Sequence, residues 1–172
     1  KDAAALENLG KCNTIVFDKT GTITKGEMFV TDVTDKQYLD IIYTIENISD
    51  HPLSAAICKF CKENNAKLLD IESSEYLIGK GITATIDGKT YKAGNEKLTG
   101  FSDNEYSYSG KTPIIFTCDD EYLCTVAVAD KIKDDAKETI ESINADTIMI
   151  TGDNELTAYA ITQQAGIKNN IA

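Results

Sequence analysis

Two short, β-branched apolar runs near opposite ends of the chain each stop in a polar turn, and this pairing constrains the fold most. Thr14-Ile15-Val16-Phe17 leads into Asp18-Lys19-Thr20-Gly21-Thr22-Ile23-Thr24, and Thr147-Ile148-Met149-Ile150 leads into Thr151-Gly152-Asp153-Asn154. Runs of this length and make-up read as buried strands. A strand that ends in a carboxylate and turns through Thr-Gly-Thr sets Asp18 at the carboxyl edge of a sheet, where open α/β sheets bind ligands. If the two strands run parallel, Asp18 and Thr151 reach the same edge. A carboxylate there can attack a phosphoryl group, and loop amides and hydroxyls can hold that group's oxygens. Taken alone, Thr-Gly-Asp-Asn reads as a capped helix start; alongside Asp18 it reads as the second half of a phosphoryl site.

Between these units the pattern changes. Residues 2–9 predict a helix stopped by Gly10. Tyr38, Ile41, Ile42, Ile45 and Ile48 form a helical stripe, and Ser49 or Asp50 is expected to cap a second helix with Pro52 in its first turn. Strands are expected over 75–78, 82–86 and 90–93, the last two joined by an Asp87-Gly88 turn. Two more are expected over 114–118 and 123–129, with an exposed loop over 102–111. From Asp130 the α/β character returns, with a helix opened by Asp134 and a last helix stopped by Gly166. The simplest architecture is an α/β domain of residues 1–26 and 129–172, interrupted by an inserted α+β domain of residues 27–128 with an antiparallel sheet. The hinges fall near Thr24–Glu27 and Val128–Lys131.

Composition removes several function classes. A chain of 172 residues suits one large domain or two small ones. No apolar run approaches the ~18–20 residues of a membrane span, and Lys1-Asp2-Ala3-Ala4-Ala5 reads as the start of a polar helix, not a signal peptide. A net charge of −11 argues against nucleic acid as a partner, and a polyanion such as ATP has to be held by local amides, Mg²⁺ and a few placed side chains. Cys12, Cys58, Cys61, Cys118 and Cys124 form no disulfide framework. Cys58-Lys59-Phe60-Cys61 lacks a second pair at zinc-site spacing, and Cys61 extends the stripe of Leu53, Ala56, Ile57 and Phe60, so packing is expected.

Asp-Lys-Thr-Gly-Thr-Ile-Thr, followed more than a hundred residues later by Thr-Gly-Asp-Asn with a domain between, resembles the P-type ion-pumping ATPases. Asp130-Lys131-Ile132-Lys133-Asp134-Asp135 is similar to that family's second hinge. Within the insertion, Ser49-Asp50-His51-Pro52-Leu53 resembles the Ser-Glu-His-Pro-Leu motif of the heavy-metal subfamily, with Asp for Glu. Glu46, five residues before His51, Gly79-Lys80-Gly81 and Gly94-Asn95 match further motifs of that subfamily. The resemblance covers nearly the whole chain.

This resemblance implies a haloacid-dehalogenase-like, Rossmann-type phosphorylation domain interrupted by a nucleotide-binding domain, on the cytoplasmic face of a membrane. ATP and Mg²⁺ are the implied cofactors. Asp18 would be the phosphoryl acceptor, with Lys19, Thr20, Thr151, Gly152 and Asp153 as its catalytic neighbours. Mg²⁺ would take the Asp18 carboxylate and the Thr20 carbonyl. Glu46, His51, Gly79, Gly81, Gly94 and Asn95 would hold the nucleotide, with Glu46 and His51 on the adenine. The membrane and actuator domains of the same pump would be the partners. Ile23 and Val30-Thr31-Asp32 lean, by resemblance, towards copper(I) as the exported ion. The family's Gly-Asp-Gly-x-x-Asn-Asp stretch does not occur between Asn154 and Ala172, so an incomplete, C-terminally truncated phosphorylation domain that binds ATP yet phosphorylates itself poorly is expected. A soluble phosphatase of the dehalogenase type usually has an acidic residue two after the nucleophile; Thr20 at that position disfavours it. A nucleotide-binding regulatory module without turnover is the other alternative.

Overall fold

The structure, a computed structural model, describes Glu7 and residues 10–172; apart from Glu7, the helix expected over 2–9 lies outside the described residues. In chain order the elements are β1 (Thr14–Asp18), β2 (Thr24–Val33), α1 (Leu39–Glu46), α2 (Pro52–Glu63), β3 (Ser73–Leu77), β4 (Gly81–Ile86) and β5 (Lys89–Gly94). There follow α3 (Glu96–Thr99), α4 (Asn104–Tyr108), β6 (Thr112–Cys118), β7 (Glu121–Ile132), α5 (Ala136–Glu141), β8 (Asp146–Ile150), α6 (Glu155–Ala165) and β9 (Asn169–Ile171). The chain divides into two compact units. One holds the chain up to Glu27, Tyr108–Gly110 and Asp130–Ala172; the other holds Met28–Ser107 and Lys111–Ala129.

In the first unit β1, β8 and β9 form a parallel sheet in the order β1-β8-β9. The register sets Thr14 opposite Asp146 and Asp18 opposite Ile150, so both predicted strands end at one edge. Strand alternation turns Thr147 and Met149 of β8 into the core, where Met149 packs with Ile23, Ile140, Ala158, Ile161, Ala165 and Ile167. The opposite face carries Val16, Ile150 and Ile171, all largely exposed.

The second unit is built on a six-stranded sheet in the order β2-β7-β6-β5-β4-β3, antiparallel through β3, β4, β5, β6 and β7. Ile82, Ala84 and Ile86 alternate inward along β4 and pack with Ile42, Ile45, Ile57, Cys61, Phe116 and Val126. The β4–β5 hairpin turns through Asp87 and Gly88 at φ 50° and 70°, the left-handed pair that a two-residue hairpin favours. Asp119 and Asp120, at φ 48° and 67°, make the same kind of turn between β6 and β7.

Several features differ from the sequence reading, among them the short α3, which it does not contain. The ten-residue β2 was not expected from sequence: Met28 and Val30 are partly buried and Val33 buried, but the exposed Phe29 between the first two breaks the alternation of polar and apolar residues. β9 has only three residues, too few for a periodicity. The expected loop over 102–111 contains α4, anchored by the buried Ser107. The cap of α2 is His51 itself, whose Nδ1 accepts from Leu53 N–H at 3.2 Å, while Ser49 Oγ accepts from His51 N–H. Cys61 and Cys124 lie fully buried in the apolar core, and burial pushes both thiols up to about 12.

Phe116 is the largest fully buried side chain among the described residues. Phe116→Ala should therefore cost about 3–5 kcal/mol, read as a fall in the urea midpoint with an unchanged slope.

Candidate functional site

The parallel pairing of β1 and β8 brings the two predicted loops of the first unit together. Asp18 is exposed at the end of β1, and among the described residues its carboxylate makes no hydrogen bond or ion pair. The next residue is its opposite. Lys19 is 7% exposed, and its Nζ donates to Asp153 Oδ2 from the other loop. Thr151 Oγ1 donates to the same oxygen at 3.1 Å, and Asp153 N–H donates back to Thr151 Oγ1 at 3.2 Å. Lys19, Thr151 and Asp153 thus form one network beside Asp18. Gly152 has open space around it. Asn154 caps α6 by accepting from Thr157 N–H at 2.9 Å, so Thr-Gly-Asp-Asn is a capped helix start as well as a neighbour of Asp18. Thr20 is exposed, and Gly21 turns the loop at φ 76°, where a residue with a Cβ is strained.

A second clamp fixes this loop from behind. The fully buried Thr24 hydroxyl lies 2.5 Å from Asp130 Oδ2 and 3.1 Å from Lys19 O, donating towards both, and accepts from Gly21 N–H at 3.2 Å. Lys133 N–H donates to Ile23 O at 3.0 Å and Lys133 Nζ to Gly21 O at 2.9 Å. Lys25 pairs with Asp134 at 2.8 Å. The other Asp130 oxygen is buried without a partner among the described residues. Thr24 and Lys133 were not singled out from sequence, although both stand inside motifs that were; only contacts across about 110 residues reveal their role.

In the second unit the predicted residues fall into two groups. Gly79, Gly81, Gly94 and Asn95 are together: Gly81 pairs with Gly94 between β4 and β5, Asn95 Nδ2 donates to Gly79 O at 2.9 Å, and Asn95 N–H donates to Lys80 O. The glycines have unlike reasons. Gly79 needs only its left-handed φ of 71° and has open space around it. A Cβ on Gly81 would meet Ala93 O and lie 2.7 Å from Gly94 Cα, and one on Gly94 would lie 3.0 Å from Gly81 Cα. Close strand crossing alone therefore excludes side chains at 81 and 94. Glu46 ends α1 and His51 caps α2; α1 packs on β4 and β5, but among the described residues no hydrogen bond joins Glu46 or His51 to the glycine group. With Nδ1 accepting from the helix, His51 carries its ring proton on Nε2. Glu46 is 4% exposed. Its burial pushes the carboxyl group up to about 7, opposed in part by a hydrogen bond from Ser54. Ser54 was not identified from sequence; its place one turn into α2, beside the last residue of α1, is visible only in the packing.

A family model for haloacid dehalogenase-like hydrolases matches residues 12–171. The chain belongs to this family. It is 38% identical over its whole length to a copper-exporting P-type ATPase of Staphylococcus epidermidis, of which it covers 24%. It is also 36% identical over 98% of its length to a probable cadmium-transporting ATPase of Alkalihalophilus pseudofirmus, of which it covers 27%. The chain thus spans about a quarter of the length of the curated relatives it matches. The solved catalytic domain of the CPx-ATPase CopB-B superposes with a TM-score of 0.73 at 24% identity, over 99% of this chain and 66% of that one, a match of fold. The α/β dehalogenase-like architecture and the resemblance to heavy-metal P-type ATPases are accordingly shown. No helix among the described residues is long and apolar enough to cross a membrane.

For this dehalogenase-like site two stability outcomes follow. The side chains of Lys19 and Asp153 are only 9% and 13% exposed, so Lys19→Met should cost about 3–5 kcal/mol in urea unfolding, whereas Lys25→Met, whose partner Asp134 is solvent-exposed, should leave the midpoint nearly unmoved. Glu46 acts in the opposite sense. Its folded pKa is raised from 4.5 to about 7, so the folded state binds more protons than the unfolded one between those values, and stability falls as pH rises through the window. Glu46→Gln should remove that slope and make the free chain more stable at pH 8 by about 3 kcal/mol, measured as urea midpoints of both forms at pH 5 and pH 8.

Proposed function

We propose that this chain is the ATP-binding and phosphoryl-accepting part of a heavy-metal-exporting P-type ATPase, with copper(I) as the exported ion. The observation that carries this reading is the convergence at one sheet edge of an unpartnered Asp18 carboxylate and the Thr151-Gly152-Asp153 turn. In it, residues 1–26 and 129–172 are the phosphorylation domain and residues 27–128 the nucleotide-binding domain. The parent pump supplies membrane and actuator domains, and this part works at the cytoplasmic face.

An Asp18 carboxylate oxygen forms the new bond to the γ-phosphorus of ATP while the bond from that phosphorus to the bridging oxygen breaks, and ADP leaves with the electron pair. Such a transfer depends on positioning and charge stabilisation. The Thr151 hydroxyl turns from Asp153 to an equatorial oxygen, the Gly152 amide holds the same oxygen, and Lys19 keeps Asp153 in place. Water later cleaves the aspartyl phosphate, which drives metal across the membrane. Thr20, two residues after the nucleophile, offers no general acid or base, which suits a long-lived phosphoenzyme.

The residues present fit Mg²⁺, a hard cation that takes oxygen ligands and keeps several waters. The exposed Asp18 carboxylate and the Thr20 carbonyl would hold it. When bound, the ion supplies charge neutralisation to the phosphoryl oxygens. On the nucleotide side, Glu46 and His51 take the adenine, and the Gly79, Gly81, Gly94 and Asn95 backbone supports the sugar and phosphates.

Titrating ATP into the chain while following amide shifts tests this reading. Shifts should cluster at Glu46, His51, Gly79, Gly81 and Gly94, and His51→Gln should weaken binding about tenfold, or ~1.4 kcal/mol. Shifts confined to Asp18 and Thr151 would refute the assignment of residues 27–128.

A further inference from the structure

The two edges of the six-stranded sheet are unlike. β2, at one edge, carries Lys25, Glu27 and Asp32, turns through Gly26 at φ 73°, and at Asp32 accepts from the Tyr106 hydroxyl of α4 at 2.5 Å. Charges, an irregular backbone and a covering element are the devices that keep an edge from pairing with another chain. β3, at the other edge, is plainer. It has one charge, Glu75, with no lysine and no proline, and four of its five residues are exposed. Its register with β4 runs without a shift from Ser73 to Leu77, and among the described residues no strand pairs with its outer side.

Cross-strand pairing fixes what each side of this edge offers. Residues opposite one another in an antiparallel pair share a face, and the Ser73 and Thr85 hydroxyls, opposite in the register, meet at 3.0 Å. Tyr76 stands opposite Ile82 and Ser74 opposite Ala84, so both lie on the face where Ile82 and Ala84 enter the apolar core. Tyr76 is nonetheless 51% exposed: the apolar face runs on past the last covered strand. Glu75 stands opposite Thr83, on the other face. The flanks repeat this mixture of apolar and acidic groups. Leu68, Ile71 and Ile78 are exposed, the last at 90%, and so are Asp70 and Glu72. Between Lys67 and Lys80 the chain carries three carboxylates and no cation.

A strand that fits this edge is therefore apolar at the alternate positions beside Tyr76 and cationic at those beside Glu75. A second copy of this chain fails the second condition. Two-fold antiparallel pairing of β3 with its equivalent sets Glu75, the middle residue of the strand, opposite itself, and like charges directly opposite destabilise a sheet. Each copy also carries a net charge of −11, which repels the other.

We propose that the outer edge of β3 is a strand-addition site for an extended segment of a partner protein, apolar at alternate positions and bearing lysine or arginine at those between. Main-chain hydrogen bonds to the unpaired edge supply the affinity, and the two faces of the added strand supply the selection. No residue assigned to the nucleotide or to the phosphoryl group takes part, so the site stands or falls independently of that reading.

Titrating the chain at low ionic strength with a short capped peptide in which lysine and valine alternate, while following amide shifts and hydrogen exchange, tests this. A peptide of the same composition, with its lysines and valines in separate blocks, carries the same charge without the alternation. The alternating peptide should shift the amides of Ser73–Leu77 and slow their exchange, and the block peptide should bind about tenfold more weakly. Glu75 is exposed, so Glu75→Lys should leave the urea midpoint nearly unmoved yet weaken the alternating peptide about tenfold, because an attraction across the new pair becomes a repulsion. Equal binding of the two peptides, shifts that avoid Ser73–Leu77, an unchanged affinity in Glu75→Lys, or no binding at all would each overturn the proposal. So would sedimentation of the chain alone as a dimer with the Ser73–Leu77 amides protected, which would make a second copy the occupant.

Discussion

The parallel contact between β1 and β8 is the interaction on which the first unit depends. It joins segments about 130 residues apart, and the intervening chain gains nothing from that closure until the pairing forms. The Lys19–Asp153 ion pair sits at the end of this ladder, ties the two loops together and leaves Asp18 outside the network. The geometry separates neighbours by function: residue 18 is exposed and unpartnered, while residue 19 is buried and committed. Behind them, Thr24 links the loop to Asp130, so the start of β2 and the end of β7 are held by a hydrogen bond that also shapes the loop.

Much of this was legible in the sequence, and the parts that were not share a cause. Strands ending in short polar turns, the Asp87-Gly88 hairpin and the stripes of α1 and α2 are encoded within a dozen residues, and local pattern finds them. β2 is different. Its alternation is diluted by Lys25, Glu27, Thr31 and Asp32, and its status as a strand depends on β7, nearly a hundred residues later. The cap of α2 was misplaced by one or two residues because Ser49 and Asp50 are better caps on average than histidine, yet the imidazole can accept from the helix as well as an oxygen does. At the candidate sites, residue identities were legible from motifs, whereas Thr24, Lys133 and Ser54 were not, since a buried hydroxyl or a lysine on a carbonyl leaves no periodic trace.

The glycines show that a motif and its physical reason can part company. Gly79 is free of steric demand and needs only its left-handed backbone, so close approach of a ligand remains a full explanation for it. Gly81 and Gly94 face one another across β4 and β5 so closely that a methyl group on either would strike the opposite backbone. Leu98 adds to the demand, since its Cδ2 would lie 2.9 Å from a Cβ on Gly81 and 3.1 Å from one on Gly94. Next to this pair, Asn95 donates to the Lys80 and Gly79 carbonyls.

Glu46 presents the reverse case, a residue that the fold would be more stable without. Burial of an ionisable group at a helix C-terminus, with one neutral partner and no cation, costs stability wherever it ionises. A glutamine there would keep a partner for Ser54 without a charge. Solvation separates the two acidic residues: Asp18 stands exposed at the end of β1, whereas Glu46 is buried at the end of α1, where desolvation opposes its charge.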